Sequence, residues 1–285
     1  MKLIQGSCFA MVVLSAAAVN SWAASPWLPA GGKLTVIETY SNDTFTHYYP
    51  GSLRKILPAP YDQFTFTTDI EYGLRNNLTL DVEIGHTKTF FRGNSLGGAS
   101  DSLIGLRWRA HQGERWVLAL RGAAVIKGSY DLTRISNFSP GEKASGGLGS
   151  VLLGFSLPHH FFAFSETGYR VRTNPVPQDF FGNAGGGFNI KGVTFTSDYQ
   201  TSRSINGVDI VGTAPKFAPP YFVAAQFPAT KKIFGAVDSG IMYTHKSGLL
   251  LGFSSSTILH GRNVGKKQVF AFSVGFTFPG RGPHF

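Results

Sequence analysis

The sequence is poor in charge and nearly free of cysteine. Charged residues make up 15% of 285, and the one cysteine is Cys8. Mean hydropathy is +0.01, too neutral for a helical membrane bundle, which needs several charge-free apolar runs of about 20 residues. Disorder is excluded as well, because hydrophobic residues reach 42% and aromatics 14%. What the chain does have is glycine, 35 residues, and phenylalanine, 25 residues. Abundant glycine and aromatics with few charges favour sheet over helix.

The first residues read as a secretory signal peptide, residues 1–23. Lys2 is a short basic start, an apolar stretch follows, and Ser21-Trp22-Ala23 is a small-x-small cleavage site, with the cut expected after Ala23 or Ala24. Cys8 leaves with this segment, so disulfides, zinc–thiolate sites and thiol catalysis are excluded from the mature chain. Without Lys2 the basic count falls from 26 to 25 against 16 acids, a net charge of +9. On an exported chain that excess suits anionic lipid headgroups, lipopolysaccharide phosphates or anionic solutes, and not nucleic acid.

From Lys33 onward the hydrophobic period is two. Phe64, Phe66, Ile70, Tyr72 and Leu74 share one face, and Thr65, Thr67, Asp69, Glu71 and Gly73 the other. Ile104, Leu106 and Trp108 alternate with Gly105, Arg107 and Arg109. The clearest case is the last, where Phe270, Phe272, Val274, Phe276 and Phe278 alternate with Ala271, Ser273, Gly275 and Thr277. Residues 144–165 carry no Asp, Glu, Lys or Arg. Four glycines and Pro158-His159-His160 make them two strands and a turn, not a helix.

In all, the pattern predicts about twelve strands with connections of alternating length. Turns near 75–77, 112–114, 158–159, 191–192 and 246–248 are tight. Connections near 90–98, 129–143, 173–178, 205–230 and 262–266 are longer. Short turns at one end and longer loops at the other are the mark of outer-membrane barrels. Tyr72, Trp108, Trp116, Phe161, Tyr243 and Phe276 fall on the apolar face near the short-turn end, an aromatic girdle. The expectation is an all-β protein: one domain, residues 24–285, forming a transmembrane up-and-down antiparallel β-barrel of about 12 strands. A soluble sandwich would explain the alternation but not the loop asymmetry or the girdle.

Three short motifs invite chemistry. His245-Lys246-Ser247 resembles the His-x-Ser arrangement of outer-membrane phospholipases and lipid A deacylases. It sits at an expected periplasmic turn, however, and Gly248 replaces the asparagine that usually follows the serine. His159 and His160 would point to opposite faces of a strand, a poor chelate. Gly185-Gly186-Gly187 lacks the Lys-Ser/Thr and the helix of a phosphate loop. No catalytic, metal or cofactor residue is assigned and the protein is not expected to be an enzyme. A lipid-modifying hydrolase and a filled structural barrel remain the alternatives.

The charged face says more. Parity places Asp69, Glu71, Asp81 and Glu83 on the inner wall beside Arg107, Arg109, Arg115, Arg121 and Lys127. These are the candidate lumen-lining residues, either salt-bridged filling or a polarised pore in which neutralising Arg107 and Arg121 would shift selectivity toward cations. Two expected external loops are apolar. One spans residues 47–61. The other carries Phe217, Pro219, Pro220, Tyr221, Phe222 and Phe227, the candidate gating loop.

The chain also resembles a family of Gram-negative outer-membrane barrels named for the MetA pathway of phenol degradation, which are transporter-like. The resemblance rests on Ile37-Glu38-Thr39-Tyr40, on Ile70-Glu71-Tyr72-Gly73-Leu74 with Leu78-Thr79-Leu80-Asp81-Val82-Glu83, and on Asp101-Ser102-Leu103-Ile104-Gly105-Leu106-Arg107-Trp108. It implies a channel in the cell outer membrane for small organic, even aromatic, molecules, and it supplies no catalytic residues. The expected partners are the lipid bilayer, lipopolysaccharide, a small-molecule solute and the barrel-assembly machinery. Either Phe278 or Phe285 would serve as the terminal aromatic in assembly.

Overall fold

The structure, a computed structural model, describes residues 24–51, 53–130, 142–173, 175–208 and 229–280. Among them one antiparallel sheet closes on itself. Its strands are β1 (Leu34–Tyr49), β2 (Lys55–Arg75), β3 (Leu78–Phe91), β4 (Asn94–Ala99), β5 (Ser102–Gln112), β6 (Trp116–Ile126) and β7 (Gly146–Ser156). They continue with β8 (Phe161–Arg172), β9 (Asp179–Ile190), β10 (Val193–Ser204), β11 (Ile233–Thr244), β12 (Leu249–Arg262), β13 (Val264–Gly265) and β14 (Gln268–Phe278).

Leaving out the short β4 and β13, each strand pairs with the next in sequence, as an up-and-down meander requires, and β1 pairs with both β2 and β14. The seam is long: Leu34↔Phe278 through Thr44↔Gln268 on one side, Leu34↔Tyr72 through Phe45↔Tyr61 on the other. Closure removes the sheet edges, whose free N–H and C=O groups have no partner in lipid. Two strands are accessory. β4 pairs with the outer half of β3 and prolongs β5, and β13 pairs with the tip of β1. Twelve strands form the circuit.

Burial shows which face is which. In β5 and β6, Leu103, Arg107, Val117, Ala119, Arg121 and Val125 are buried, while Ile104, Leu106, Trp108, Trp116, Leu120 and Ile126 are exposed. The buried face must be concave, since Arg107 on β5 reaches Glu71 on β2 and Arg121 on β6 reaches Glu166 on β8, each past an intervening strand. The outer face is apolar nearly throughout, with Tyr72, Trp108, Trp116, Phe161 and Tyr243 exposed at the short-turn end. Glu38 is an acidic exception, its carboxylate held by the Thr68 hydroxyl at 2.9 Å.

One circuit of paired residues shows the stagger. Starting from Gln112↔Val117, it runs through Gly154, Phe164, Gly185, Asp198, Asp238, Ser256, Val269, Asp43, Gln63 and Thr89 to Leu96. It returns to the β4–β5 ribbon 16 residues from where it began (112 − 96). Such a shear forces the strands to tilt, and the tilt carries the row from the short-turn end to the loop end.

Two expected loops turn out to be sheet. Residues 90–98 are not a loop but a hairpin between β3 and β4, turned by Arg92 (φ 50°) and Gly93 (φ 76°). This is the left-handed pair that matches strand twist. Residues 47–61 are also mostly strand, with β1 running to Tyr49 and β2 starting at Lys55. Pro60 falls where the register jumps between Phe45↔Tyr61 and His47↔Ile56, so no ladder N–H is lost there. Apolar side chains are buried in two clusters at this end: Phe45, Leu57 and Tyr61 in one, Tyr49, Ala236 and Ile258 in another.

Candidate functional site in the barrel lumen

The acid-rich and base-rich strands meet as their parity requires, and the structure joins them into one chain of ion pairs. Arg107 donates from Nε and Nη2 to both carboxylate oxygens of Asp81, each at 2.7 Å, and from Nη2 to Glu71 at 2.5 Å. Arg121 lies 4.0 Å from Asp81 and 3.7 Å from Glu166. Glu166 in turn accepts the Ser150 hydroxyl at 2.5 Å. Arg107 is 0% exposed. A guanidinium can be buried so deeply because its planar fork meets two carboxylates at once.

The other expected lumen residues are placed as follows. Asp69 and Glu83 face each other in register on the same inner wall. Arg109 lies near the end of β5, where its guanidinium reaches the Asn76 carbonyl in the adjoining turn. Arg115 sits in the turn before β6 and Lys127 just beyond its far end, both exposed. Phe217, Pro219, Pro220, Tyr221, Phe222 and Phe227 lie outside the described residues.

Reading the sequence strand by strand missed a segment that precedes the first strand. Residues 24–30 enter the lumen beside Gly73, whose lack of a side chain leaves room for the Ala30 carbonyl. The Ser25 carbonyl accepts from Arg107 Nη1 at 2.6 Å, and the Ala24 N–H donates to Glu166 at 2.9 Å. Pro26 is fully buried. Trp27 packs edge-on against Phe162, ring centroids 5.7 Å apart. Gly154 makes the seat: a Cβ there would stand 2.8 Å from Pro26, Trp27 and Val117. Two signals were present in the sequence, the lone Glu166 after a long uncharged stretch and the Pro26-Trp27-Leu28-Pro29 run, but nothing local says that they meet.

Two further inward carboxylates were missed. Asp198 and Asp238 are register partners on β10 and β11, with Gly185 and Ser256 on either side. Neither has an ion-pair partner among the described residues, and both oxygens of buried Asp238 lack a hydrogen-bond partner there. Nearer the loops, Asp179 is clamped by Arg170 at 2.7 Å and Arg172 at 2.6 Å. Arg172 also pairs with Glu142, which holds Lys232 at 2.7 Å. Between strands, Asp101 gathers the loop base by accepting the Gly128 N–H at 2.8 Å and the Glu142 N–H at 3.1 Å. Burial pushes the Asp101 carboxyl up against the pull of the Gly128 N–H and the Tyr130 hydroxyl, and burial beside Asp101 pushes the Tyr130 phenol up.

The enzymatic motif is a turn. His245 Nδ1 lies 2.8 Å from Ser247 Oγ and also accepts the Ser247 N–H, so the ring caps its own turn at an exposed site. His159 and His160 occupy left-handed positions of the Pro158–His160 turn, φ 57° and 66°. Among the described residues no group of three His, Cys, Asp or Glu side chains could hold a metal ion.

No family model matches the chain, and no curated protein matches it. Solved structures do. The chain is similar to an outer membrane channel from Pseudomonas putida F1, with a TM-score of 0.70 at 10% identity over 92% of this chain and 100% of that one. It is less similar to the translocator domain of the autotransporter NalP from Neisseria meningitidis, with a TM-score of 0.49 at 15% identity over 88% and 90%. For the NanC porin the values are 0.48 and 8% over 85% and 98%. At these identities the first likeness speaks for the fold alone, that of outer-membrane barrels.

Proposed function

We propose that the protein is an outer-membrane channel for small organic molecules, exported through a cleaved signal peptide. The observation that carries this reading is how the lumen is occupied. A separable segment, residues 24–30, docks on a charged and hydrogen-bonding wall. A barrel that served as a mere scaffold could be filled by wall side chains alone. A segment that docks on polar partners can undock, and the wall behind it is already suited to water and solutes. The clusters at the mouth built on Phe45 and Tyr49 give the entrance an apolar lining, which fits an organic solute better than a bare ion. The similar barrel from Pseudomonas putida F1 is an outer membrane channel, in agreement with this reading. The loop bearing Phe217 to Phe227 is the proposed outer gate. Lipopolysaccharide and the barrel-assembly machinery are the proposed partners in the membrane, and transport, not hydrolysis, is the proposed activity.

A filled structural barrel is the second reading, favoured by the buried ion pairs of the wall side chains, Arg107 with Glu71 and Asp81 and Arg121 with Glu166. Single-channel recording in planar bilayers separates the two, comparing wild type with a variant lacking residues 25–29 and one lacking residues 216–227. A channel gains conductance in at least one deletion. In alkaline buffer the double change Asp198→Asn with Asp238→Asn should lower its preference for cations, because ionised carboxylates attract them. Silence in wild type and both deletions, from folded barrels, would overturn the transport reading.

A further inference from the structure

The set of side chains in ion-pair contact behind the docked segment is one cation short: three carboxylates share two guanidiniums. Glu71, Asp81 and Glu166 are carboxylates, and Arg107 and Arg121 are the guanidiniums in contact with them. The least compensated member is Glu166, 3% exposed. Its nearest ion-pair contact is Arg121 Nη1 at 3.7 Å, while its Oε2 faces a neutral donor, the Ala24 backbone nitrogen, at 2.9 Å. Arg121 and the Ser150 hydroxyl both act on Oε1, so Oε2 is the buried oxygen with no cation against it, a costly arrangement. Ala24 is also the residue that follows the small-x-small motif Ser21-Trp22-Ala23. Hydrolysis between Ala23 and Ala24 would turn that same nitrogen into a cation.

We propose that Ala23–Ala24 is the processing site of this chain and that the α-ammonium made there is the missing cation, paired with Glu166 inside the barrel. The reaction is the ordinary one of a signal peptidase. Water adds across the amide bond, its oxygen staying on the Ala23 carbonyl carbon as a carboxylate. The C–N bond breaks, and the Ala24 nitrogen leaves as an amine that is protonated near neutral pH. One neutral N–H becomes an ammonium with three donors, and the bond to Oε2 becomes charge-assisted. The pairing also sets the register of everything behind it: the Ser25 carbonyl on Arg107, Pro26 and Trp27 in the seat at Gly154. A cut one residue later would carry the ammonium to Ser25, displaced by roughly the 3.8 Å between consecutive Cα atoms. This inference stands whether or not solutes pass through the barrel.

The test uses protein extracted from outer membranes, with the N-terminal peptide read by mass spectrometry and amine labelling done on the native fold. The chain should begin at Ala24. Its α-amine should react with a small amine reagent roughly tenfold or more slowly than in Glu166→Gln, the mark of a buried ion pair. A second variant carries one glycine inserted between Ala23 and Ala24, which moves the ammonium and leaves every wall residue in place. Its α-amine should also label fast, so the conclusion does not hang on Glu166→Gln folding. Boiled samples of all three should label alike. A chain beginning at Ser25, or a native α-amine as reactive as in the folded variants, would overturn the proposal.

Discussion

Arg107 is fully buried, yet it holds Asp81, Glu71 and the Ser25 carbonyl at once. That placement changes what its substitution does. Parity alone makes Arg107 and Arg121 levers on ion selectivity. In the folded barrel the Arg107 charge is already balanced by the carboxylates it touches, so removing it strands them without water. Arg107→Ala should therefore cost about 3–5 kcal/mol, the cost of breaking a buried pair, read from urea unfolding in lipid vesicles. A loss under about 1 kcal/mol would mean that the network adds little to stability. That Arg107 shares a face with Asp81 and Glu71 was legible in the sequence, because alternation fixes the face. That it would be buried was not, because burial depends on Ser25 crossing in front of it.

The N-terminal segment is the element that most alters the picture. A run of Ser, Pro and Trp has neither period two nor period 3.6, so pattern reading leaves it without a place. Its position is set by partners on β5, β7 and β8, and by Gly154, whose missing side chain opens the seat. Gly154→Ala puts carbon 2.8 Å from Pro26 and Trp27 and, as the smallest side chain, loads the equally close Val117 of the wall least. It should expel the segment, raise single-channel conductance and leave the barrel folded, with heat-dependent mobility in SDS gels as the check on folding. An unchanged conductance with the segment displaced would show that residues 24–30 do not obstruct the path. The hairpin of β3 and β4 teaches a related lesson. Arg92-Gly93 is a turn signal, but Leu96 and the glycines after it give too weak an alternation to mark a strand that pairs on one side.

At the scale of the whole molecule, the closed circuit divides every strand into a lipid face and a lumen face. Leu120 is 39% exposed, yet Arg there should cost about 2–4 kcal/mol if its depth is near mid-bilayer. The same protein should run faster unheated than boiled, since all its ladder bonds are internal. Equal mobility from membrane-assembled material, or an unchanged unfolding midpoint in Leu120→Arg, would contradict a lipid-facing position. Most of the strands and their faces were legible in the sequence, since side-chain direction follows from period two, but residues 47–61 and the tight hairpin at 90–98 read as loops and are sheet. The sequence also placed acid-rich β2 and β3 beside base-rich β5 and β6, because a meander sets consecutive strands side by side. What crosses the lumen was not legible there. Which residues meet there depends on shear and tilt, a property of all twelve strands together, and on a segment with no repeating pattern of its own. The pairing of Ala24 with Glu166 spans 142 positions in the chain, and no local rule reaches that far.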